Sequence, residues 1–226
     1  MRIGSQVATL GSLQQEKRLD VIANNLANAN TPGFKKEGVR FEDFMFQETY
    51  SQYEQGPIRT TGNPLDVALL GKGFFRVQSP DGILYTRAGN LTMDAEGALV
   101  TQEGWPVLGQ GGVIELTGRH VRIEPDGQIF DDGFAVDTLD LVAFPEGTRM
   151  LRVGGNGFRP ADAAAAPEAA VDCTVEQGSL EDPNFSVVAE MTQLIETLRI
   201  FETYQKMSQT FHQEDTQLIS KLGSTT

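Results

Sequence analysis

Histidine and cysteine are the side chains best suited to acid–base, nucleophilic or metal chemistry near neutral pH, and this chain has two of the first and one of the second. His120 lies between Arg119 and Val121 in a strand-like run, and His212 lies in a long helical pattern near the C-terminus. Neither stands in a His-Glu-x-x-His arrangement, so no metal signature forms around them. Cys173 has no basic neighbour in sequence to lower its pKa, which points to a buried or inert thiol. Gly71-Lys72-Gly73 and Gly109-Gln110-Gly111-Gly112 are rich in glycine, but neither leads from a strand into a helix as phosphate binding requires. Asp131-Asp132 and Asp94-Ala95-Glu96 lack the alternating ligand spacing of a calcium loop. No nucleophile elbow, P-loop or dinucleotide fingerprint is present. The chain is therefore read as a non-enzyme with no cofactor, no metal and no small-molecule substrate.

The polar residues that do cluster are amides. Asn24, Asn25, Asn28 and Asn30 fall where an apolar-periodic helix should end, and Thr31-Pro32-Gly33 then breaks the pattern. Asparagine is a mediocre helix former, but a buried amide between helices fixes their register. The alternative for these four residues is a frayed helix end.

Two amphipathic helices must position those amides. Ile3, Val7, Leu10 and Leu13 form one stripe, continued by Leu19, Ile22 and Leu26, so a helix is expected over about residues 3–30. Its seam is too thin to be stable alone in water. Its expected partner spans residues 187–222, where Val187, Met191, Leu194, Leu198, Phe201, Tyr204, Met207, Phe211, Leu218 and Leu222 recur mostly at spacings of three and four. That is a coiled-coil type of seam, irregular around 201–207. Asn184 or Ser186 can cap its start, and Gly223 can close it.

Between the helices, short β-type runs alternate with turn pairs such as Pro80-Asp81-Gly82, Glu96-Gly97, Pro125-Asp126-Gly127 and Asp132-Gly133. Strands spaced about ten residues apart, with no helical run between them, predict an antiparallel sandwich or barrel-like domain. The fold class is α+β. The expected domains are an N-terminal helix at 1–33, a linker and lead-in at 34–70, a β-rich domain at 71–180 and a C-terminal helix at 181–226. Phe41, Phe44, Met45 and Phe46 anchor the linker, and the Ala/Pro-rich 161–170 reads as a surface loop.

A net charge of -13 argues against nucleic-acid binding and against docking on an anionic membrane. No run of about 20 apolar residues is available to span a bilayer. Met1 to Gln6 runs into Gln14-Gln15-Glu16-Lys17-Arg18 without the apolar core of a secretory signal.

Ala23-Asn24-Asn25-Leu26-Ala27-Asn28-Ala29-Asn30-Thr31-Pro32-Gly33-Phe34-Lys35 resembles the N-terminal signature of bacterial flagellar rod and hook proteins. Three further stretches resemble the same family in the same order. They are Thr61-Gly62-Asn63-Pro64-Leu65-Asp66-Val67-Ala68-Leu69 with Gly71-Lys72-Gly73-Phe74-Phe75, then Tyr85-Thr86-Arg87-Ala88-Gly89-Asn90-Leu91 with Gly104-Trp105-Pro106, and Glu190-Met191-Thr192 with Arg199 and Phe201-Glu202. Only residues 35–60 separate the first two blocks, a gap that resembles proximal rod members more than distal ones. Where the family often has a Leu-Glu-Ser-Asn-Val-like run, this chain has Leu180-Glu181-Asp182-Pro183-Asn184-Phe185.

The resemblance implies a rod subunit whose terminal helices pack as a coiled-coil-like inner domain, with the β-domain outside. It implies other rod subunits and copies of itself as partners, and export by the flagellar type III apparatus without a cleaved signal. It places the chain in the basal-body rod that crosses the periplasm and carries torque to the hook. The expected assembly residues are Ile3, Val7, Leu10, Leu19, Ile22, Asn24, Asn25, Leu26, Asn28 and Asn30 on the first helix. On the second they are Met191, Leu194, Leu198, Phe201, Tyr204, Met207, Phe211, Leu218 and Leu222. The alternatives are a distal rod subunit and, from another class, a carbohydrate-binding or adhesin-like module on a helical stalk. In that last case Phe74, Phe75, Tyr85 and Trp105 would form a ligand platform.

Overall fold

The computed structural model describes residues 2–42, 45–117, 120–145, 147–162 and 164–223. After α1 (Arg2–Ala27) come β1 (Glu37–Glu42), β2 (Met45–Ser51), β3 (Ile58–Thr60), β4 (Val67–Leu70), β5 (Phe74–Ser79) and β6 (Gly82–Thr86). There follow β7 (Thr92–Met93), β8 (Leu99–Val100), β9 (Leu108–Gly109), β10 (Gly112–Val113), β11 (Val121–Ile123), β12 (Gln128–Asp131) and β13 (Phe134–Thr138). The last strands are β14 (Leu141–Ala143), β15 (Met150–Arg152), β16 (Gly157–Pro160), β17 (Glu168–Ala169), β18 (Thr174–Gln177) and β19 (Ser179–Glu181), and α2 (Val187–Gly223) follows them. The fold is α+β, with a helix near each end and an antiparallel, sheet-rich middle.

The chain divides into two compact units, and it crosses between them at 27/28, 36/37, 50/51 and 184/185. The first holds α1, the β1–β2 pair and α2. At 1.5 Å per residue the 37 residues of α2 reach about 55 Å. Ser186 caps it, its Oγ lying 3.5 Å from the Ala189 N–H. Asn184, the other candidate cap, is used elsewhere. The stretch expected as linker and lead-in carries the β1–β2 pair, and the Arg18 guanidinium sits 5.4 Å from the Phe41 ring to hold β1 against α1.

The second unit spans Asn28–Lys36 and Ser51–Asn184. Its largest sheet has six strands in the order β15-β16-β6-β5-β14-β17, all paired antiparallel. Side chains alternate across it with a period of two. Phe75, Val77 and Leu84 enter one buried cluster with Val67, Leu91, Val107 and Ile129. Phe74 and Tyr85 enter the other with Val142, Met150 and Phe158. This second cluster is knit by edge-to-face rings, Tyr85 to Phe144 at 4.8 Å and Tyr53 to Phe158 at 5.6 Å. Two further pairs, β3–β19 and β4–β18, zip residues leading into the β-region to residues leading out of it. Residues 168–169, within the expected surface loop, add β17 to the edge of the large sheet by pairing with β14.

Candidate assembly site

On α2 the less exposed residues follow one rule. From Glu190 they run through Leu194, Thr197, Phe201, Tyr204, Ser208, Phe211 and Asp215, alternating steps of four and three, while every residue between them is exposed. This stripe meets α1. The meeting is close because α1 offers small residues: Ala8 and Gly11 are buried, and a Cβ on Gly11 would come within 2.5 Å of the Tyr204 ring. At Gly4 the same atom would stand 2.9 Å from the Phe211 ring. Glycine inside a helix costs roughly 1 kcal/mol relative to alanine. Here each one admits an aromatic ring, and the packing offsets that cost.

The expected residues distribute unevenly over this pair. Ile22 is buried, and Leu10, Leu19, Leu26, Leu194, Phe201, Tyr204 and Phe211 are half-buried. Val7, Met191, Leu198 and Met207 face outward at 53%, 51%, 41% and 41% exposure. The irregularity at 201–207 resolves because the seam passes through Ser208 and leaves Met207 outside. The side chains of Ile3, Leu218 and Leu222 lie outside the described residues. With Val188 and Ile195, Met191 and Leu198 make a second apolar stripe on the open face of α2, at steps of three, four and three.

The amides have separate jobs. Asn25 is 1% exposed, and its Oδ1 accepts from the Glu37 N–H at 2.9 Å while its Nδ2 donates to the Glu37 carbonyl at 3.0 Å. The same Nδ2 donates to Glu190 on α2 at 3.3 Å, so one side chain ties α1, β1 and α2 together. Asn24 is exposed and donates to the Glu37 carboxylate at 2.9 Å. Asn28 receives the Thr31 N–H and hydroxyl in the turn after α1, and Asn30 is exposed.

The Thr-Pro-Gly-Phe-Lys run enters the second unit as a buried ionic knot. Gly33 has φ +69°, donates its N–H to the Glu181 carbonyl at 2.7 Å, and presses so close to the Arg87 backbone that a Cβ would lie 2.3 Å from it. Phe34 is sandwiched under the Arg152 guanidinium at 4.1 Å. Lys35 is fully buried, and its Nζ donates to Glu181 Oε1 at 2.6 Å and to the Glu54 carbonyl at 2.8 Å. Arg87 takes the other Glu181 oxygen at 3.3 Å, and the Gly56 N–H donates to Oε1 at 2.7 Å. Burial pulls the Lys35 ammonium below its ordinary pKa, and the neighbouring Glu181 opposes that shift. Asn156 donates to the Pro32 carbonyl at 3.1 Å, and Asn184 receives the Lys36 N–H at 2.7 Å. Hydropathy gave no hint of this knot, because a lysine, two arginines and a glutamate read as surface residues. The polar members of the α2 stripe escaped for the same reason, although their strict three-and-four spacing stands in the sequence.

His120 and His212 are exposed, and Cys173 is buried with its thiol pushed up by burial. Among the described residues no group of three His, Cys, Asp or Glu is placed to hold a metal ion, and no helix is long and apolar enough to cross a membrane.

Three family models cover the two ends and the middle: "Flagella basal body rod protein" over 6–35, "Flagellar hook protein FlgE/F/G D1 domain" over 68–131, and "Flagellar basal body rod FlgEFG protein C-terminal" over 176–220. The flagellar basal-body rod protein FlgF of Mesorhizobium japonicum is 36% identical over 96% of this chain and 97% of its own length. The chain belongs to the flagellar basal-body rod protein family. FlgF of Caulobacter vibrioides is 35% identical over 92% of both chains. The flagellar basal-body rod protein FlgG of Agrobacterium fabrum is 31% identical over 89% of this chain and 92% of its own length. The proteins matched are rod components, not enzymes, and this chain is a structural rod subunit of FlgF type.

Proposed function

We propose that this rod subunit polymerises through its terminal helices, which form a coiled-coil-like inner domain, and so transmits motor torque to the hook from a proximal position in a rod spanning the periplasm. One observation carries the reading: α2 keeps an apolar stripe of Val188, Met191, Ile195 and Leu198 exposed while its other stripe is occupied by α1. A contact repeated between two different surfaces builds a helical tube. Export by the flagellar type III apparatus, without a cleaved signal, suits a subunit whose thin helical seams tighten only on assembly. The adhesin-like alternative loses its platform, since Phe74, Phe75 and Tyr85 are buried core residues.

The test is Leu198→Asp in a strain carrying no other copy. Leu198 is 41% exposed, so the variant should fold its β-unit normally, fail to enter basal bodies and abolish swimming. Normal swimming with intact incorporation sinks the helical-seam reading. A strain lacking the chain should show basal bodies truncated before the distal rod, and an intact distal rod and hook would overturn the proximal position.

A further inference from the structure

We propose that the β12–β13 hairpin tip of one copy inserts Phe134 into an apolar pocket on the β-rich unit of the next copy, giving the rod a second contact between copies besides the helices. This rests on the rod-subunit reading only in requiring neighbouring copies of the chain.

The tip is built to present a side chain. Asp131 and Phe134 pair across the strands, and Asp132-Gly133 fills the two-residue turn with φ of 47° and 89°. Both central residues in the left-handed region are what a type I′ hairpin demands, and such a turn is stiff. Phe134 nevertheless stands 78% exposed, and Val136 farther along the same strand is 43% exposed. A large aromatic held rigidly in water loses little conformational freedom when it docks.

The receiving pocket has a volume of about 450 Å³ and is lined by Phe74, Phe144, Met150, Tyr53, Lys72 and Arg87 among others. That is ample for one benzyl side chain within the usual range for ligand sites. Arg87 is 4% exposed, and its Nε has no hydrogen-bond acceptor. The Arg87 charge is matched by Glu181, so it is the exposed Lys72 ammonium beside an apolar wall that favours an occupant that is aromatic and carries a nearby anion. Asp132 supplies that anion two residues before Phe134. Glu54 also lines the pocket and disfavours an anion on its own side, so the acidic tip is expected toward Lys72. Tip and pocket are different surfaces of one subunit, so their contact is head-to-tail and propagates.

A photoreactive benzophenone analogue of phenylalanine at Phe134 retains the aromatic ring and reports its neighbour. Irradiation of motile cells should yield a dimer of two 24.7 kDa chains, with the cross-link mapped to the peptide bearing Phe144 or Met150. Asp132→Asn, which tolerates the same backbone conformation, should lower the cross-linked fraction roughly two- to fivefold. A cross-link to another rod protein, to a different face of the same chain, or none at all overturns the contact. Swimming is scored in the same strain and in one lacking the chain: a motile deletion strain sinks the rod-subunit reading, whereas a motile strain without the cross-link sinks only this contact.

Discussion

Glu181 is the residue on which the buried knot balances, because it is one carboxylate between two cations. Its oxygens serve Lys35, Arg87 and the Gly56 N–H, and both the Lys35 and Glu181 side chains are 1% exposed. Removing one partner of a buried pair leaves an uncompensated charge and costs about 3–5 kcal/mol. The two obvious removals are not equivalent. Glu181→Gln leaves Lys35 and Arg87 facing each other, whereas Lys35→Met leaves a balanced Arg87–Glu181 pair and relieves an ammonium that burial already disfavours. Glu181→Gln should therefore lower unfolding stability by about 3–5 kcal/mol, and Lys35→Met by clearly less. Urea unfolding of the purified chain decides it, and equal losses would mean that Arg87 does not share the carboxylate. The spacing of charges in the sequence carried no sign of this, since three partners at 35, 87 and 181 meet only through the fold.

At the scale of elements, the helix pair is shaped by what α1 lacks. Gly11 is buried where Tyr204 enters, and the ring would stand 2.5 Å from an added methyl. Gly11→Ala gains roughly 1 kcal/mol of helix propensity, but overpacking against a ring costs about 1–3 kcal/mol. The expected net effect is a less stable helix pair, read as earlier loss of helical signal on heating. Adding Tyr204→Leu, which withdraws the ring, should restore it. If Gly11→Ala alone stabilises the chain, the close approach of the two helices is not as described. Periodicity placed both helices nearly to their observed ends, because apolar spacing of three and four is local information. It did not say which residues of α2 turn inward: Met191, Leu198 and Met207 are apolar yet exposed, while Glu190, Thr197 and Ser208 are polar yet turned inward. Hydropathy cannot tell a residue that meets its own chain from one left for another.

For the whole molecule, the two units differ in how they hold together. The β-rich unit buries two clusters on opposite faces of one sheet, and β3–β19 and β4–β18 close its beginning onto its end. The helical unit relies on one narrow stripe along α2. Local opening follows buried apolar contact. In the free monomer, backbone amides over 198–217 should exchange with solvent well before those of β5 and β6, as measured by hydrogen exchange with mass spectrometry. Equally slow exchange in both would refute a subunit whose helices tighten on assembly.

The sequence by itself determined the α+β class, the two terminal helices, the turn-rich β middle and, through four ordered blocks, the rod family. Each of these is written in local spacing or in a run of neighbouring residues. Tertiary structure alone decided which face of α2 is taken, that Asn25 joins α1, β1 and α2, and that Lys35, Arg87 and Glu181 share one buried site. Those contacts join residues up to 165 positions apart. Their energy comes from excluding water around matched charges and amides, a condition that exists only once the β-strands have closed around them.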